Sequence, residues 1–177
     1  MSSTHEPLTT ARAALPDGPD RSDDADRRAP ARIALTPGGR SDGRGVVGRG
    51  LLDGAWWPRS RDLTLELPPL VDELEQTWGR VTRVAVNPEH WSVIPKKVAA
   101  DGRTVHVGWF AAEQDPHKLL LLSYRNARWD LLVIPPETPR ATAVRLLAAA
   151  SDPRNVLTAS ALIAQPHTGA EQTGGRK

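Results

Sequence analysis

The sequence predicts an α+β fold in a single domain: a mainly antiparallel sheet of about five to six strands, a helix after the first strand and one or two C-terminal helices. Three observations carry this expectation. Five short apolar runs crowd into residues 81–135 with turn residues between them. One stretch with apolar steps of three and four precedes them, and proline-capped, alanine-rich segments follow. A chain of 177 residues can bury one proper core and is short for two.

The elements are expected in the following order. Residues 1–30 hold Asp17, Asp20, Asp23, Asp24 and Asp26 among prolines, with little to bury, and read as a disordered acidic tail. Residues 165–177 read the same way, which leaves 31–164 as the folded unit. Arg32–Thr36 alternates as a short strand and stops at Pro37-Gly38-Gly39; a glycine- and arginine-rich loop runs from Arg40 to Gly50. Leu63, Leu67, Leu70, Val71, Leu74 and Trp78 share one helical face, and Gly79 ends the helix. Pro68 and Pro69 mark either the first turn of that helix or a kink in one that starts at Asp62.

Strands are expected at Val81–Val86, Val93–Ala99, Arg103–Phe110, Lys118–Tyr124 and Trp129–Pro135, with Asp101-Gly102 turning a tight hairpin. The unbroken runs Leu119–Leu122 and Leu131–Ile134 predict strands covered on both faces, joined antiparallel by the short link 125–128. Thr138 with Pro139 caps a helix over Ala141–Ala150, and Asp152-Pro153 opens a second one reaching about Ile163.

Composition narrows the function classes. No run of about 18 apolar residues suggests a membrane span, the start of the chain lacks the apolar segment of a secretory signal, and there is no cysteine, so a cytoplasmic protein is expected. The pI near 9.4 comes with a net charge of only +2. The cationic residues are mostly arginine, which fits a coding bias better than a phosphate-binding surface, so nucleic acid is not the favoured partner. Gly43-Arg44-Gly45-Val46-Val47-Gly48 matches the dinucleotide fingerprint in letters, but no helix can follow it to hold a pyrophosphate. It reads as a surface loop, and no cofactor is expected. His5, His90, His106, His117 and His167 show no metal-ligand spacing, so no metal is expected either. His117 falls in a polar turn and reads as exposed, His106 as a sheet residue whose surroundings depend on which face is covered.

The candidate site is Leu51–Ser60, where Asp53 and Gly54 precede the paired Trp56 and Trp57, and Pro58 and Arg59 follow. Two adjacent indoles on an extended segment point opposite ways, so packing alone would use one in the core and one over a sheet edge. A functional arrangement keeps one indole at the wall of a pocket, with Asp53 and Arg59 at the rim for an anionic or planar guest. His90 and Trp91, in the turn after the first long strand, are the natural companions. The leading reading is a binding or regulatory domain whose ligand or partner surface comprises Asp53, Trp56, Trp57, Arg59, His90 and Trp91. The alternatives are a small-substrate enzyme using Asp53, Arg59 and His90, and a single-stranded nucleic-acid binder using Arg40, Arg44, Arg49, Arg59 and Arg61 with the indoles for stacking.

The run Leu52-Asp53-Gly54-Ala55-Trp56-Trp57-Pro58-Arg59-Ser60, followed by Asp62-Leu63 and Glu66-Leu67-Pro68, resembles an actinobacterial family defined as domain of unknown function 5994. Trp91, Pro95, Gly102-Arg103, Val107-Gly108 and the stretch Asp130–Pro136 extend the resemblance over most of 31–150. It implies family membership and a cytoplasmic setting, and it carries no activity.

Overall fold

The computed structural model describes residues 30–37, 51–124 and 127–165. The expected tails up to residue 29 and from 166, the 38–50 loop with its glycine fingerprint, and residues 125–126 lie outside the described residues. In chain order the elements are β1 (Ile33–Leu35), β2 (Gly54–Trp56), α1 (Leu63–Trp78), β3 (Val81–Val86), β4 (Lys97–Ala100), β5 (Arg103–Trp109), β6 (Lys118–Ser123), β7 (Arg128–Val133), α2 (Arg140–Ala150) and α3 (Ala159–Ala164). A single 3-10 turn, Pro88–His90, follows β3.

The seven strands form one sheet in the order β1-β2-β7-β6-β3-β5-β4. It is mixed, with antiparallel pairings in the majority, and larger than the five or six strands expected. β2 runs parallel to β7 (Ala55 beside Leu132) and β3 parallel to β5 (Val84 beside Val107), while the other four pairings are antiparallel. The extra strand is the Trp segment itself: three residues are too few to show a strand period, yet they fill the gap between β1 and β7 and place α1 after the second strand. Because β6 opposes both β7 and β3, the strands β2, β7, β3 and β5 all point one way. Their carboxyl ends therefore lie along one edge of the sheet.

Three other boundaries moved. Residues 93–96 are not part of β4; Val93 bridges Asp62 and its carbonyl accepts from the Leu63 N–H, which ties this run to the start of α1. Helix α2 begins after Pro139, with no side-chain cap from Thr138. Asp152 caps only a turn, accepting from the Arg154 N–H, and α3 starts instead at Thr158, whose hydroxyl accepts from the Ala161 N–H. Other expectations hold. Asp62 caps α1 through the Thr64 N–H at 2.8 Å, so Pro68 and Pro69 lie inside the helix, and Gly79 ends it with φ 79°. Asp101 (φ 42°) and Gly102 (φ 70°) turn the β4–β5 hairpin in the left-handed region that Asp and Gly tolerate.

The sheet has two unlike faces. Leu63, Leu67, Leu70, Val71 and Leu74 of α1 pack on one face against Val84, Val107, Leu119, Leu121, Leu131 and Trp56. On the other face α2 and α3 cover only the β2–β7 end, where Ala55, Leu132, Ile134, Ala143, Leu146 and Leu162 form a second core. This is why Trp129 through Ile134 are buried without a break, as the sequence predicts, whereas Leu120 and Leu122 of β6 stay half-buried, against expectation. His106, with Arg83, Lys97 and Thr104, faces outward beyond the helices. No helix among the described residues is long and apolar enough to cross a membrane.

Candidate functional site

The carboxyl edge of the sheet gathers the segments that follow β2, β3 and β7 and the turn that precedes β6. Open α/β sheets place their ligands at such an edge. Here Trp57–Arg61, Asn87–Trp91, Pro135–Glu137 and Asp115–His117 meet. Asn87 shapes its segment by accepting from the Glu89 N–H at 3.0 Å, which closes the 3-10 turn.

Trp56, at the end of β2, is 1% exposed and stacks on Trp91 with ring centroids 5.3 Å apart and planes at 24°. The two indoles form a floor under the loops. Trp57 turns to the opposite face and packs on the α2–α3 core. The Arg32 guanidinium covers its ring at 3.6 Å and donates from Nε to the Trp57 carbonyl, while its Nη2 donates to the Pro58 carbonyl. Burial, followed by the nearby Arg59 cation, lowers the pKa of Arg32, and Glu66 opposes both.

Arg59 shows both sides of the loop. Its backbone N–H donates to the buried Glu66 carboxylate at 3.0 Å, while its guanidinium lies at the surface against the Pro30 carbonyl. The Ser60 hydroxyl donates to the other Glu66 oxygen at 2.9 Å. Arg61 ties three segments together: Nη1 donates to the His90 carbonyl at 3.0 Å, Nη2 pairs with Glu137, and its own carbonyl accepts from the Ser92 N–H.

His90 stacks against His117 with centroids 4.7 Å apart, so His117 is half-buried rather than exposed as its turn suggested. Burial lowers the pKa of both imidazoles; His90 is lowered further by His117 and Arg61 and raised by Glu89, while Asp115 raises His117. Asp115 anchors that turn by accepting from the Ser160 N–H and hydroxyl. Desolvation would raise the Asp115 carboxyl, but these bonds and the His117 N–H hold it below its ordinary value.

Asp53 belongs elsewhere. It is buried at the amino end of β2, where its carboxylate accepts from the Asp130 N–H at 2.9 Å and its backbone N–H donates to the Asp130 carbonyl. The length of β2 separates it from Arg59, and His90 lies past the far end of β3, so the Asp53–Arg59–His90 constellation is not assembled. Of the groups in the stacking reading, Trp56 is sealed in the core and Trp57 is covered by Arg32; Arg40, Arg44 and Arg49 lie outside the described residues.

Between the loops, a crevice bounded by Pro58, Arg61, His90, Trp91, Pro135 and Pro136 encloses about 10 Å³. That is room for about one water molecule and no substrate. Among the described residues no three His, Asp or Glu side chains are grouped to hold a metal.

Sequence reasoning named Trp56, Arg59, His90 and Trp91, placed Arg61 only in the nucleic-acid alternative, and missed Glu66, His117 and Glu137. A signal existed for Glu66, an acid on the apolar face of an amphipathic helix, which asks for a buried partner. A protein-family model described as a family of unknown function, DUF5994, matches residues 32–150. No curated protein and no solved structure matches the chain.

Proposed function

The chain belongs to the DUF5994 family of unknown function, and from that starting point we propose that it is a non-enzymatic binding or regulatory domain whose partner surface is the carboxyl edge of the sheet. Arg59, Arg61 and His90 are its contact residues, while Trp57 packs on the other face under Arg32. Trp56 and Trp91 act from beneath by fixing the loops, while Asp53 ties β2 to β7 away from them. One observation carries the reading: Arg61 ties three segments distant in sequence, the His90–His117 stack adds a fourth, and all lie over a stacked indole floor, yet they enclose only about 10 Å³. A rigid, filled, polar edge suits a macromolecular partner better than a substrate. The exposed Trp109 (61%) and Val93 (43%) on the same edge add the apolar area that protein interfaces use.

Native mass spectrometry of the protein isolated from its own cells tests the proposal. A stoichiometric companion above the 19.2 kDa chain mass is expected. Arg61→Ala should lose it with unchanged circular dichroism, and Arg83→Ala, on the uncovered sheet face, should keep it. A wild type found only at its chain mass, or a companion indifferent to Arg61→Ala, overturns the reading.

A further inference from the structure

At the opposite edge, the end of α1 and the end of β6 leave a cavity of about 390 Å³ lined by Trp78, Gly79, Arg80, Ser123 and Tyr124. The 16 residues of α1 separate it from the carboxyl edge by about 24 Å. Its size falls within the range of small-molecule sites.

Its wall is built. Trp78 stacks on the buried Trp129 with centroids 5.1 Å apart and planes only 5° from parallel, so its ring is held in one orientation. The Gly79 backbone turns away at φ 79°, and a Cβ there would meet nothing within 4 Å, which keeps that wall open. Tyr124, 82% exposed, adds a second ring beside the mouth.

The lining selects a ligand chemistry. Arg80 places a guanidinium at the rim, and among the described residues no carboxylate pairs with it. A flat aromatic ring would pack against Trp78 and Tyr124, and an anionic group would meet Arg80. We propose that this cavity binds a planar aromatic carboxylate.

The test uses 2-naphthoate as the probe and the full chain labelled with nitrogen-15. Each of the six tryptophans gives one indole N–H resonance, and Trp78→Phe identifies the Trp78 signal by its disappearance while keeping a ring in place. Titration should shift the Trp78 and Trp129 signals saturably and leave the other four in place. Arg80→Ala, at an exposed position, should weaken 2-naphthoate at least fivefold and leave the weaker binding of uncharged 2-naphthamide unchanged. No saturable shift below 5 mM, shifts centred on other tryptophans, or equal affinity in Arg80→Ala would each overturn the proposal.

Discussion

Removing the Glu66 carboxylate should release the loop that carries Arg59 and Arg61 while leaving the sheet intact. Glu66 is 7% exposed and accepts two hydrogen bonds, from the Arg59 N–H and the Ser60 hydroxyl. A bond to a charged acceptor contributes about 1.5–3 kcal/mol. Ser60 is only half-buried and regains water, so the Arg59 bond dominates and Glu66→Ala should cost about 3 kcal/mol. Glu66→Gln behaves differently, because the amide carbonyl can accept from Arg59 while its NH₂ donates to a rotated Ser60 hydroxyl. Only the charge is lost, at about 1 kcal/mol. With urea m-values of about 1–3 kcal/mol/M, the Ala midpoint should fall by roughly 1–3 M. Amide exchange gives the local readout: Arg59 protection should drop by up to about 100-fold in Glu66→Ala, the factor that about 3 kcal/mol sets. Wild-type stability within about 0.5 kcal/mol, equal losses in the Ala and Gln variants, or unchanged Arg59 exchange would refute the reasoning.

Trp56→Ala should cost about 3–5 kcal/mol, the usual range for a buried aromatic, and weaken the near-ultraviolet circular dichroism of the Trp56–Trp91 stack; a loss under about 1 kcal/mol would mean the floor is not part of the core. Gly54→Ala should cost about 2–6 kcal/mol by urea denaturation, since a Cβ at φ 151° would lie 2.2 Å from the Ala34 carbonyl oxygen; this adds backbone strain to overpacking against β1. Acid should weaken the fold through the histidine pair. Burial depresses both imidazole pKa values, so the unfolded chain takes up protons first, and stability present above about pH 6.5 is lost as pH falls below it toward the depressed folded values. Arg61 faces the pair with its charge, and Glu89, Glu137 and Asp115 oppose it. Urea midpoints between pH 7.5 and 5 should flatten in His117→Asn, and an unaltered slope would remove the pair from this role.

How much of the fold was legible follows from where each signal resides. The α1 face, the Asp101-Gly102 hairpin and the fully buried run in β7 are local patterns, and each survived. The parallel pairings were not legible, because a three-residue β2 has no period and the β3–β5 partnership depends on the path of residues 87–96. Expecting Leu120 and Leu122 to be covered assumed helices over the whole second face, whereas α2 and α3 reach only one end of it.

The site divides along the same line, and the division bears on which residues to vary first. Trp56 and Trp91 stood out because indoles are scarce and costly to expose, yet that same cost drove both into the core. Arg61, Glu137 and His117 carry ordinary surface identities, and they acquire meaning only through contacts spanning 76 residues for Arg61 with Glu137 and 27 positions for His90 with His117. Composition therefore pointed mostly at the support, while distance in sequence concealed Glu137 and His117. Substituting a tryptophan confounds folding with binding. Substituting Arg61 perturbs folding less, because its exposed ion pair with Glu137 contributes about 0–1 kcal/mol to stability, but it also removes the half-buried bond from Nη1 to the His90 carbonyl. A loss of partner in Arg61→Ala is a statement about recognition where unchanged His90 amide exchange shows the loops still in place, and the same loss in Trp91→Ala would not be.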